Sequence, residues 1–184
     1  MQTHLILTGF MGSGKSTIGR ELARRLDRPF IDTDDQIEAT EKMEISEIFA
    51  TRGEDFFRIF EEKIVGDILS SKKRAVISLG GGTLLSQKTT DLVLASGILI
   101  YIKSGPEEIW KRIRHSTRRP LLRQEGSVWK KRDYLQRMAK LMKQREDGYR
   151  QAHLCIDRDG KEVDDIVEEI LDRLSRVNEN ITKN

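Results

Sequence analysis

The chain has 184 residues, 37% of them hydrophobic and 34% charged, with a net charge of +3. That length supports one domain with a real core, and the low aromatic fraction suits an α/β protein with well-solvated helices. The single cysteine, Cys155, excludes an intramolecular disulfide and favours a reducing, cytoplasmic setting, while no apolar run approaches membrane-spanning length and no charged-then-apolar leader precedes the first strand.

In chain order, residues 4–8 read as a strand and 15–26 as a helix, with Ile18, Leu22 and Leu26 four apart. A short strand at 29–31 ends at Asp32-Thr-Asp34. Short helices follow on Ile37, Ile45, Ile48 and Phe49, and Gly53 breaks them. Phe57, Phe60, Ile64 and Ile68 mark a helix over 54–70, and 75–79 is a strand that stops at Gly80, Gly81 and Gly82. A helix near 88–95 precedes the strand 98–102, which is apolar throughout, as a strand covered on both faces should be. Pro106 stands where a helix can start. Residues 114–127 lack a period and read as a loop. A long polar helix then runs to about 152, the strand 154–156 follows, and Val163, Ile166, Val167, Ile170, Leu171 and Leu174 give an amphipathic last helix. From 176 onward the chain is polar and is expected to fray. Cys155, inside a short apolar run, is expected to be a buried core thiol. His4, His115 and His153 lack metal-site spacing and read as surface or satisfied histidines. Strands alternating with helices, with no internal repeat or linker, imply one parallel sheet with helices on both faces.

In such a sheet ligands bind beyond the carboxyl ends of the strands, and four motifs fall there. The first is the glycine loop 9–17, Gly-Phe-Met-Gly-Ser-Gly-Lys-Ser-Thr, between the first strand and its helix. Its pattern, G-x-x-x-x-G-K-[ST], lets backbone N–H groups converge on phosphates at a helix N-terminus. Gly12, Ser13, Gly14, Lys15, Ser16 and Thr17 are the candidate phosphate ligands. Lys15 is to reach the β- and γ-phosphates and Ser16 to hold Mg²⁺. The second motif is Asp32 and Asp34, two apart, so that an extended chain turns both carboxylates to one side. One suits Mg²⁺ through water and the other a hydroxyl acceptor; a helix N-cap is the alternative. Third, Gly80–Gly82 lets backbone amides approach a ligand, or else is a flexible turn.

The fourth motif is the basic stretch 111–145, which suits a polyanion. Arg118 and Arg119 precede Pro120 in the unpatterned loop, where an arginine can close over a transferred phosphate. Arg112 can stack on a base. Arg58 and Arg145 are candidates to grip a carboxylate by two parallel hydrogen bonds, although any arginine in so basic a chain can be a surface charge. A basic patch for nucleic acid, with Trp129 and Tyr134 as interleaved aromatics, is the competing reading, but no recognition-helix or RNA-binding signature accompanies it.

Taken together these segments resemble the shikimate kinase family, a group of small kinases related to nucleoside monophosphate kinases. The likeness rests on the loop at 9–19, Phe-Ile-Asp-Thr-Asp at 30–34, Glu-Ile-Phe-Ala at 47–50, Gly-Glu-Asp-Phe-Phe-Arg at 53–58 and Glu61. It continues with Ser-Leu-Gly-Gly-Gly at 78–82, Arg-Pro-Leu-Leu at 119–122 and Arg-Glu-Asp-Gly-Tyr at 145–149. The resemblance implies a three-layer α/β/α fold of the P-loop kinase type, with a five-stranded parallel sheet in a single domain, 1–184. It implies ATP-dependent phosphorylation of the shikimate 3-hydroxyl, with shikimate and ATP as partners, Mg²⁺ as cofactor, no nucleic acid or membrane, and a cytoplasmic monomer. By position it makes Lys15, Asp34 and Arg119 catalytic, with Asp34 the base. Ser16 and Asp32 then serve the metal, and Arg112 and Arg119 the nucleotide. Asp34, Arg58, Gly80, Gly81, Gly82 and Arg145 serve the acceptor. It also implies a substrate-binding segment at about 33–61 and a mobile lid at about 112–126. Two stretches depart from the family pattern. Residues 122–138 are long and basic, and the loop at 157–162 lacks the proline often found beside the adenine. A kinase for gluconate or a nucleoside monophosphate is the alternative within enzymes. A nucleotide-gated binding protein is the alternative outside them.

Overall fold

The computed structural model describes residues 3–113 and 131–182, with side chains through Arg176. Five strands, β1 (His4–Thr8), β2 (Phe30–Asp32), β3 (Val76–Ser78), β4 (Gly97–Lys103) and β5 (Leu154–Asp157), form one parallel sheet in the order β2-β3-β1-β4-β5. The connecting helices are α1 (Lys15–Arg25), α2 (Thr33–Glu41), α3 (Ile45–Leu69), α4 (Gln87–Ser96), α5 (Pro106–Ile113), α6 (Lys131–Arg150) and α7 (Val163–Thr182). A short 3₁₀ turn spans Thr83–Leu85.

The central strand shows why its sequence is uniformly apolar. Leu5 and Leu7 point into one layer with Ile18, Leu22, Ile166 and Ile170, from α1 and α7. Ile6, between them, points into the other layer with Val65, Val93 and Tyr149, from α3, α4 and α6. Both faces are therefore buried, as the alternation of side chains along a strand requires. A third cluster around Phe10 joins α5 to α6, and a fourth, of Ile37, Ile48 and Phe57, holds α2 to α3. The segment expected to bind substrate thus has a small core of its own. After β1 the chain runs first to the β2 edge and later to the β5 edge. The crevice at the carboxyl end of β1 is the switch point where such sheets bind ligands.

Gly53 interrupts the helical stretch Ile45–Leu69 as expected, with a non-helical backbone (φ 82°, ψ 172°) where one helical course ends and the next begins. Three expectations need correcting. β2 ends one residue later than its hydrophobic run, so Asp32 closes the strand. The last helix continues to Thr182 instead of ending near 176. Cys155 is exposed, because β5 is an edge strand and Ile156 takes the core-facing position. His4 and His153 do find strand partners, each accepting a backbone N–H at Nδ1, from Ala75 and Leu99 respectively. Among the described residues no helix is long and apolar enough to cross a membrane.

Candidate active site

The glycine loop opens directly onto α1, with Gly14 at its N-cap in the left-handed region (φ 96°) that only glycine enters freely. Lys15 Nζ donates to the carbonyls of Gly9 (2.8 Å) and Phe10 (3.3 Å), so the ammonium lies across the loop. Ser16 Oγ donates to Asp32 Oδ2 at 2.7 Å, while Asp32 Oδ1 accepts the N–H of Asp34 at 3.1 Å. Asp32 therefore caps α2 and faces the phosphate loop at once; the two readings of this acid are not alternatives. A hydroxyl and a carboxylate in contact at the loop suit Mg²⁺, which is usually held by one or two protein oxygens with phosphates and water completing its shell. Among the described residues no cluster of three or more His, Cys, Asp or Glu offers an all-protein metal site.

Asp34 lies in the first turn of α2, and its carboxyl is pushed up to about 7. Burial is the main cause and the neighbouring charge of Asp32 the second. Lys15 opposes them, and Glu61 and Glu38 add to the rise.

The three glycines after β3 bring the separated segments together. A Cβ on Gly80 would lie 2.7 Å from Asp34 Oδ1 and 2.8 Å from Glu61 Oε1. One on Gly81 would lie 3.1 Å from Arg145 Nη1, and one on Gly82 only 2.9 Å from both terminal nitrogens of Arg58. Each missing side chain thus makes room for a different charged group. Gly80 is also fixed by its N–H, which donates to Thr33 Oγ1 at 3.0 Å.

The two arginines are held in different ways. Arg58 Nη1 donates to Glu61 Oε2 at 2.8 Å, and its Nε and Nη2 donate to Glu54. Glu61 is buried, and its other oxygen accepts from Thr83 Oγ1 at 2.7 Å. Arg145 is also buried, with its guanidinium 5.3 Å from the centre of the Phe10 ring. Its Nη1 has no hydrogen-bond partner among the described residues. One turn on, Tyr149 donates to the Gly81 carbonyl at 2.8 Å and stacks on Tyr101. A cavity of about 620 Å³ is lined by Lys15, Ser16, Asp32, Asp34, Gly81 and Arg112, and is closed on the α2–α3 side by Ile45 and Phe49. Arg58 does not line it. It borders a smaller cavity of about 200 Å³ beyond Gly82, and so stands one glycine away from the shared space.

Arg112, in the last turn of α5, was expected to offer its face to a base. Its edge is fully committed: Nη1 reaches the carbonyls of Gly12 (3.2 Å) and Ser13 (3.4 Å), Nη2 reaches Ser104 Oγ and Asp159, and Nε reaches the Glu108 carbonyl. Arg118, Arg119 and the lid beyond residue 113 lie outside the described residues, as do His115 and Trp129. Tyr134, offered as an aromatic for nucleic acid, is buried against Trp110. Residue patterns alone missed Glu54, Tyr149 and Asp159 as neighbours of the site. The three-residue spacing from Arg58 to Glu61 on one helix face was a usable signal for that pair. Nothing in the pattern linked Asp159 to Arg112.

Residues 11–175 match the family model described as shikimate kinase. The chain belongs to the shikimate kinase family. Members of this family transfer a phosphate from ATP to shikimate, so the chain is an ATP-dependent small-molecule kinase. It is 41% identical to the shikimate kinase of Chlorobaculum tepidum over 98% of this chain and 94% of that one. It is 40% identical to that of Thermus thermophilus, over 95% and 91%. A solved shikimate kinase from Acinetobacter baumannii, in complex with shikimate, superposes with a TM-score of 0.87 at 30% identity, covering 96% of this chain and 94% of the other. A gluconokinase from Sinorhizobium meliloti shares the fold at a TM-score of 0.64 and 19% identity.

Proposed function

We propose that the chain transfers the γ-phosphate of ATP to the 3-hydroxyl of shikimate, with a definite division of labour among its residues. The loop amides of 12–17 and Lys15 bind the phosphates. Ser16 and Asp32 hold Mg²⁺, which when bound neutralises charge on the β- and γ-phosphates. Asp34 orients the acceptor hydroxyl and receives its proton as the oxygen attacks phosphorus and ADP leaves. The shift of Asp34 toward neutrality supports this role, because a base works best with a pKa near the working pH. Phosphoryl transfer has a loose transition state, so holding the hydroxyl in line with phosphorus contributes more than deprotonating it early. Arg145 and Arg58 grip the substrate carboxylate from either side of Gly81 and Gly82, and Arg119 closes from the lid. Arg112 serves the nucleotide end. A cytoplasmic monomer remains the reading of the whole molecule, supported by a single cysteine and a self-contained core.

One observation carries this assignment. Arg145 is buried beside Gly81 with an open donor, and a buried guanidinium without an anion is costly. A carboxylate-bearing ligand answers that need and a neutral polyol does not; gluconate is a carboxylate too, and the family match favours shikimate over it. The test is coupled ADP release with shikimate, gluconate and AMP offered in parallel. Only shikimate should stimulate turnover, and equal stimulation by gluconate or AMP would overturn the assignment.

A further inference from the structure

Three loops meet at the carboxyl ends of β1, β4 and β5, and one arginine ties them together. The loop after β1 contributes the carbonyls of Gly12 and Ser13, which accept from Arg112 Nη1. The loop after β4 contributes Ser104 Oγ, which accepts from Arg112 Nη2 at 2.6 Å. The loop after β5 contributes Asp159. One of its oxygens accepts from Arg112 Nη2 (3.2 Å) and from Ser104 Oγ, and the other accepts the N–H of Gly105 at 2.7 Å. Asp159 is held in turn by its own N–H, which donates to Asp157 Oδ1 at 3.0 Å.

The charges explain why an acid stands there. Arg158 lies close by, with its Nε 3.4 Å from where a Cβ on Gly14 would sit. Partial burial of Arg112, and after it the Arg158 charge, disfavour the charged form of Arg112, and Asp159 opposes them. Of the two acids that offset this, Asp159 and Glu108, Asp159 has the larger effect and is the one hydrogen-bonded to the guanidinium through its side chain.

The contacts to Gly12 and Ser13 bear on the loop's own chemistry. A peptide unit is planar and trans, so its C=O and the following N–H point in opposite directions. Holding the Gly12 carbonyl fixes the Ser13 N–H, which closes the turn onto the Phe10 carbonyl at 3.1 Å. Holding the Ser13 carbonyl turns the Gly14 N–H to the side away from Arg112. A cation on a carbonyl also polarises the amide and makes its N–H a better donor.

We infer that Asp159 is a positioning residue for phosphate binding: it holds Arg112 across the glycine loop so that the loop's amides are set before the nucleotide arrives. This rests on the reading of the loop as the ATP site. Asp159 touches no phosphate, and its action runs through Arg112.

The test measures binding of ADP, inorganic tripolyphosphate and shikimate by calorimetry to wild type, Asp159→Asn and Ser104→Ala. Asp159→Asn should weaken tripolyphosphate about fivefold, the size of one net hydrogen bond, weaken ADP at least as much, and leave shikimate unchanged. Ser104→Ala keeps the acid and removes one tie, so it should show a smaller loss of the same kind and guards against misfolding of the first variant. Tripolyphosphate unaffected while ADP falls would mean the pair acts on the base, and the inference fails. Equal loss for shikimate would make the pair a general structural tie, and it fails again. If wild type binds neither ADP nor tripolyphosphate, the reading of the loop itself is wrong, which is a distinct outcome.

Discussion

Asp34 sits where a carboxylate is expensive to charge. Its pKa of about 7, against an ordinary 3.8, comes from burial and from Asp32, with Lys15 working the other way. The acid limb of kcat/KM for shikimate reports the free enzyme's base and should therefore rise through about 7. The sign for stability is the opposite. The folded state holds a proton between about 4 and 7 that the unfolded chain releases, so stability falls as pH rises through that window and is level above it. Asp34→Asn cannot lose that proton. The variant should lose at least about a hundredfold in kcat, the typical contribution of a positioned base. At pH 8 it should nevertheless melt above wild type, with the gap closing toward pH 4. Thermal melts at the two pH values check it, and a wild type that melts higher at pH 8 would mean Asp34 is charged without penalty.

At the scale of the element, the turn after β3 separates two kinds of glycine contact. A Cβ at Gly82 meets the end of a flexible side chain, Arg58, whereas one at Gly148 in α6 meets the Leu84 carbonyl at 2.6 Å, which is backbone. The first can yield by swinging away; the second cannot. Gly82→Ala should therefore leave stability within about 0.5 kcal/mol, in the range of tolerant sites, and raise KM for shikimate by about tenfold through a displaced Arg58. KM for ATP should not move. Gly148→Ala should push α6 off the 3₁₀ turn and cost about 1–3 kcal/mol, as overpacking does. Denaturant melts with paired KM values separate the two. If Gly82→Ala unfolds the protein without changing KM, the turn is structural and Arg58 is not a ligand.

For the whole molecule, what could be read from residue patterns follows contact range. The strand, glycine loop and helix at the start are set by local spacing, and all three stand where the pattern put them. So do the acids after β2 and the order of the remaining elements. Local patterns failed where a distant partner decides. Cys155 reads as core from its apolar run, yet β5 is an edge strand that leaves it exposed, and the tie between Arg112 and Asp159, 47 residues apart, has no local signal. Glu54 lies on Arg58 only because the kink at Gly53 starts a new helical course there. The convergence of Asp34, Arg145 and Arg58 on successive glycines has no local signature, and only the family resemblance anticipated it.

On the assignment proposed above, substrate bridges Arg58 of α3 and Arg145 of α6. Shikimate at about a hundred times its Kd should add about 2.7 kcal/mol, or about 5–10 °C in the melting midpoint of a chain this size. Arg145→Met replaces a buried cation over Phe10 with an apolar chain of similar reach. The variant should lose the midpoint shift from shikimate and keep the shift from ADP. Without ligand it should melt no lower than wild type, because the unanswered buried donor is gone. Differential scanning fluorimetry with each ligand reads all three. A shikimate shift that survives the substitution would show that the carboxylate is gripped elsewhere, and would leave Arg145 a packing group of α6.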